Sequence, residues 1–122
     1  MTTEAYVDAL ERKLSSLAGI VTTFSLRREF DLELGFGLIE GSVIFFDGSR
    51  FELVEQVPVT RRKYRLHYMS AAGDLIVRWD SAPHHRTVST FPFHKHTKDG
   101  VQAHPAVTAL DALDQILALL PS

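Results

Sequence analysis

The sequence predicts an α+β domain: an antiparallel meander of about five strands, with N- and C-terminal helices packed on one face. Three observations carry that prediction. Apolar residues recur at three- and four-residue steps only near the two termini. Between them the period falls to two, the mark of strands with one buried face. Glycine turns separate the alternating runs, and an order of helix, strands, long loop and helix suits a two-layer domain.

The first helix is expected over 4–17, where Val7, Leu10, Leu14 and Leu17 form one stripe between a Thr3 cap and a Gly19 stop. A strand with one buried face follows, carrying Phe24, Leu26, Phe30, Leu32 and Leu34. The run 38–46 is apolar enough to be covered on both faces. Asp47-Gly48 is a strong hairpin signal that joins it to 50–57, and Pro58 cannot donate to a ladder and so ends that strand.

The next two runs are the informative ones. Residues 61–69 place Tyr64, Leu66 and Tyr68 on one face and Arg65 and His67 on the other; 75–80 place Val77 and Trp79 opposite Arg78 and Asp80. A two-residue turn at Ala72-Gly73 sets Leu66 against Trp79, Arg65 against Asp80 and His67 against Arg78. A slip of one residue would set the core set of one strand against the polar set of the other. From 81 to about 106 no period survives, Pro83, Pro92, Gly100 and Pro105 interrupt the chain, and a loop of this length is commonly functional. The closing helix is capped by Thr108, with Asp111 in its first turn and Leu110, Leu113, Ile116, Leu117 and Leu120 as its stripe. That stripe suits either the core or a homodimer.

With 122 residues and no linker or repeat, the chain reads as one domain, 1–122. The absence of cysteine excludes thiol nucleophiles, thiolate metal sites and disulfides. No apolar run has the length of a membrane span and no signal-peptide pattern opens the chain, so a cytoplasmic protein without a membrane partner is expected. A net charge of −2 hides a sharp asymmetry. Between residues 60 and 98 lie Arg61, Arg62, Lys63, Arg65, Arg78, Arg86, Lys95 and Lys98 against only Asp74 and Asp80. That balance of +6 leaves −8 to the rest of the chain. Five of the six histidines fall in the same segment. Such a concentration suits phosphate or another anionic partner.

The chemistry is expected in Trp79-Asp80-Ser81-Ala82-Pro83-His84-His85 and Thr90-Phe91-Pro92-Phe93-His94-Lys95-His96. Imidazoles accept and donate protons near neutrality, so His84, His85, His94 and His96 are the candidate acids and bases. His84 and His85 are adjacent, and both reach one small site only if the loop turns there. Arg65, Arg78 and Lys95 are candidate phosphate clamps, and Asp80 is placed either to orient a histidine or to pair with Arg65. Acid, base and cations together suit cleavage of an RNA backbone, in which the 2′-hydroxyl is the nucleophile, with neither metal nor cofactor required. The chemical rival is a divalent ion held by Asp80, His84 or His85, His94 and His96; the surrounding cations weigh against it. Phe91 and Phe93 suit base stacking, whereas parity assigns Tyr64, Tyr68 and Trp79 to the core.

These two motifs, with the Arg-Arg-Lys-Tyr-x-x-x-Tyr strand at 61–68, resemble the TumE family of bacterial and archaeal toxins, and the likeness extends over nearly the whole chain. Ser81 and Phe93 depart from the family pattern, in which Asn and His are common. The resemblance implies a growth inhibitor neutralised by a cognate antitoxin, usually a helix-turn-helix protein encoded alongside. An RNA-directed endoribonuclease is the first reading. A nucleic-acid or nucleotide-binding protein without catalysis is the second, and a His/Asp metal-dependent nuclease or nucleotidyl-transfer enzyme the third.

Overall fold

In a computed structural model, which describes residues 2–58 and 63–121, the chain forms seven antiparallel strands between two helices. Arg61 and Arg62 lie outside the described residues. Helix α1 (Thr3–Ser15) starts one residue before the expected position, because the Thr2 hydroxyl accepts from the Ala5 N–H at 3.0 Å. Its Tyr6, Val7, Leu10 and Leu14 are buried. Helix α2 (Ala109–Leu119) opens on the expected Thr108, in a reciprocal cap with Asp111. Of the expected stripe, Leu113 and Ile116 are fully buried in the core beside Ala109 and Ala112, while Leu110, Leu117 and Leu120 pack against it partly buried.

The strands run β1 (Val21–Asp31), β2 (Phe36–Phe45), β3 (Arg50–Val57), β4 (Tyr64–Met69), β5 (Leu75–Asp80), β6 (His94–Thr97) and β7 (Gly100–Ala103), paired in chain order. Directly opposed residues share a face, so pairing of Leu26, Gly41, Leu53, Leu66 and Trp79 draws one apolar line across five strands. Gly41 lets the leucines on either side of it close over that line, and a larger residue would force them to shift. A Cβ there would lie 2.7 Å from Leu26 Cδ2 and 3.1 Å from Leu53.

Both helices meet this face at one buried carboxylate. Glu55, 3% exposed, accepts from the Tyr6 hydroxyl and from the Ala109 N–H at the start of α2. A negative charge at a helix N-terminus is favourable, which is how a carboxylate is tolerated among Ile39, Val57 and Tyr64. Burial first, and then the Glu55 charge, push the Tyr6 hydroxyl far above the usual tyrosine range.

Four expectations are corrected. The sheet has seven strands, not about five: β6 and β7 come from the stretch read as a loop. Their sequences, His-Lys-His-Thr and Gly-Val-Gln-Ala, are four residues long and lack apolar alternation, so periodicity could not reveal them. The 70–74 turn places Ala71-Ala72 at its tip and Gly73 at φ 90°, a three-residue connection, in place of a two-residue Ala72-Gly73 turn. The expected register nonetheless holds from Arg65–Asp80 to Tyr68–Val77, and the extra residue is absorbed between Tyr68 and Met69. The outer end of β1 is not buried: Phe30, Leu32 and Leu34 are exposed. A 13-residue helix is about 20 Å long and an 11-residue strand about 37 Å, so the hairpin outruns α1. Finally, β2 is covered on one face only, with Leu38 and Phe46 exposed.

Candidate functional site

The two-residue period that buries Leu66 and Trp79 presents their neighbours on the opposite, open face. There the register draws two polar rows across β4, β5 and β6: Arg65–Asp80–His94 and His67–Arg78–His96. The loop 81–93 then returns over the rows and brings in His85. Thr90 fastens this loop, donating to the Phe93 carbonyl and accepting from the His104 N–H. Phe93 stacks on Tyr64 with centroids 6.1 Å apart and planes 4° from parallel. Ser81 accepts from the Tyr64 N–H. The two positions that depart from the family pattern therefore hold the loop in place.

Three imidazoles meet at the centre. Ring centroids are 4.8 Å apart for His85–His94, 5.2 Å for His85–His96 and 4.9 Å for His94–His96. His94 is 2% exposed and partnered at both nitrogens: Nδ1 lies 2.8 Å from the Pro92 carbonyl and Nε2 lies 3.1 Å from His96 Nε2. A carbonyl only accepts, so Nδ1 carries a hydrogen, and in the neutral ring Nε2 presents its lone pair. Burial, then Arg78 and the two neighbouring rings, hold His96 below the ordinary histidine range, with Asp80 opposing. Burial, then Arg78 and Arg65, do the same to His67.

Asp80 is 9% exposed and closes the start of the loop. One oxygen accepts from the Ala82 N–H at 2.6 Å and the other lies 3.6 Å from Arg78 Nε. Its hydrogen bond thus goes to the loop backbone, and its ion pair is with Arg78 on its own strand. Beside the rings an open groove of about 840 Å³ is lined by Lys63, Arg65, Arg78, Asp80, His84 and Phe91, among others. Phe91 is 40% exposed, with the Arg86 guanidinium 5.9 Å over its ring. A second depression of about 570 Å³, mixed in charge through Arg27, Glu40 and Glu52, adjoins the first at Arg65.

The structure therefore gathers His85, His94 and His96 with Asp80 and Arg78. His84 and Arg65 line the groove. Lys95 is not gathered: it pairs with Trp79 and Gln102, in the row that faces the helices. His104 is also apart, edge-on to Trp79 at 6.5 Å. Two of the four candidate histidines, His94 and His96, lie on a strand and not in a loop. Sequence reasoning missed Lys63 as a groove residue and the Pro92 carbonyl as a ring partner. The first had a signal in its own basic run; the second depends on the course of the loop and had none.

Fold and site together define a small α+β protein that displays imidazoles and guanidiniums on the uncovered face of an antiparallel sheet. The chain belongs to the TumE family: the family model described as Toxin TumE matches residues 9–121. Membership places it among toxins, which are restrained by an antitoxin partner. Comparison with curated proteins and with solved structures returned no match. No helix among the described residues is long and apolar enough to cross a membrane.

Proposed function

We propose that the chain is the toxin of a type II toxin–antitoxin module and cleaves RNA. The observation that carries this reading is a groove lined by Arg65, Arg78, His84 and the exposed Phe91, with His94 and His96 paired across the sheet to its Asp80 and Arg78. Arg65 and Arg78, with Lys63 at the rim, hold a backbone phosphate, and Phe91 offers a stacking face for a base. The histidine cluster takes the proton of the 2′-hydroxyl, whose oxygen then bonds to phosphorus. The bond from phosphorus to the 5′-oxygen breaks as His84 gives that oxygen a proton. The products are a 2′,3′-cyclic phosphate and a 5′-hydroxyl. Asp80 acts through the loop it anchors. The guanidiniums count most in the transition state, where charge on the phosphoryl oxygens is greatest.

The partner that fits the same surface is an antitoxin with an acidic segment, expected to carry a helix-turn-helix domain, that lies over the cationic rows. The test is induced expression in cells, with and without the neighbouring gene, followed by sequencing of RNA ends. Growth arrest, new RNA ends and rescue by the neighbour are expected. A folded His84→Ala/His85→Ala double variant should lose all three. Full toxicity of that variant would sink the proposal, and arrest without new RNA ends would favour sequestration of nucleic acid over cleavage.

A further inference from the structure

The hydrogen bond between His94 and His96 explains one pair of rings and leaves the third unexplained. One ligand-capable nitrogen from each of His85, His94 and His96 lies within 4.8 Å of the other two. Two nitrogens bound at about 2.05 Å to one tetrahedral ion stand about 3.3 Å apart. The His94 Nε2–His96 Nε2 separation of 3.1 Å is already close to that spacing.

A second observation lies behind the ring. The His94 Nδ1–H is directed to the Pro92 carbonyl. Imidazoles that bind metals characteristically give their other N–H to a carbonyl or carboxylate, which fixes the tautomer and turns the free nitrogen toward the ion. A third is burial: at 2% exposure His94 cannot itself touch a bound RNA, so its Nε2, which lies against His96 Nε2, acts within the cluster.

We infer that His85, His94 and His96 form a three-nitrogen site for one divalent transition-metal ion of the zinc class, with a fourth position open to water or a phosphate oxygen. An all-imidazole donor set favours zinc, cobalt or nickel over magnesium and calcium, which prefer oxygen. The objection that neighbouring cations repel such an ion loses force in the structure. Lys95 belongs to the row that faces the helices, and Arg78 is offset by Asp80 at 3.6 Å. The ion's own charge is then uncompensated, and an anion is the natural fourth ligand. A water bound there would ionise near neutrality, and with the ion in place its hydroxide would replace the imidazoles, then occupied as ligands, as the proton acceptor at this end of the groove. That last role rests on the RNA-directed reading above; the binding of the ion does not.

The test uses the full chain without a histidine tag, stripped by chelator and titrated with Zn²⁺ and separately with Co²⁺. One ion per chain is expected, with the visible bands of tetrahedral cobalt. His85→Ala and His96→Ala, both at partly exposed positions, should each weaken binding by at least the 10–100-fold that an outer-shell change alone costs. His104→Ala should bind as the parent does. Absence of stoichiometric binding, or unchanged affinity in both His85→Ala and His96→Ala, would overturn the site. One bound ion in a chain that cuts no RNA would uphold the site while defeating the ribonuclease reading. Full cleavage by a chain that binds no ion would do the reverse.

Discussion

The two faces of β4 and β5 are written by the same dozen residues and obey opposite rules. On one, Leu66 and Trp79 are 0% and 1% exposed and are packed beneath the helices. On the other, Arg65 and Arg78 leave guanidiniums at an open groove, and His67 Nε2 and Arg78 Nε find no hydrogen-bond partner among the described residues, against Trp79 Nε1 alone of the two helix-facing residues named. Native proteins seldom leave buried polar atoms unpaired without a reason, and a ligand is one such reason. The helix face is therefore a stability surface and the open face a working surface. Substitutions should separate them.

The largest effect on stability is expected from Leu66→Ala. It opens a cavity at the centre of the apolar line and should cost about 2–5 kcal/mol, read from denaturant unfolding. Tyr6→Phe comes next. It removes the hydroxyl that donates to Glu55 and receives the Ala109 N–H, for about 1–3 kcal/mol. Thr108→Ala, which breaks the α2 cap, should cost about 1 kcal/mol. Arg65→Ala should change stability by no more than about 0.5 kcal/mol. It should nevertheless weaken RNA binding and lower the salt dependence by about one phosphate contact. Loss of RNA binding from Leu66→Ala without loss of stability would erase the contrast between the faces.

Acidification sharpens the same contrast. His96 and His67 titrate below the ordinary histidine range when folded and near 6.5 when unfolded. The unfolded chain then binds more protons, so their contribution is complete above about pH 6.5 and declines as pH falls through the lower folded values. The unfolding midpoint should drop between about pH 7 and pH 5, and drop less in His96→Gln. An equal drop in both would remove His96 from this account.

The helix face was the legible one. Alternation in 64–69 and 75–80 is strong, and a register slip would have exposed Leu66 or Trp79, so the pairing could be set before any coordinates. β6 was illegible because it is four residues long, with His94 and His96 in the open-face rows and Lys95 in place of an apolar residue opposite Trp79. The meeting of His85 with His94 and His96 depends on how 81–93 folds back, through Thr90 and Phe93, and no local spacing encodes that course. Lys95 shows the cost of reading composition without parity. It belongs to the basic segment by sequence and to the opposite row by geometry.

The central claim, that the open face of β4–β6 acts on RNA, is tested most directly with purified chain and single-stranded RNA. The products to be assayed are those ending in cyclic phosphate, with Arg78→Ala matched to the parent for folding. The account predicts such ends from the parent chain and about a hundredfold slower release from Arg78→Ala. Intact RNA from the folded parent chain, or equal rates from the two proteins, would contradict it.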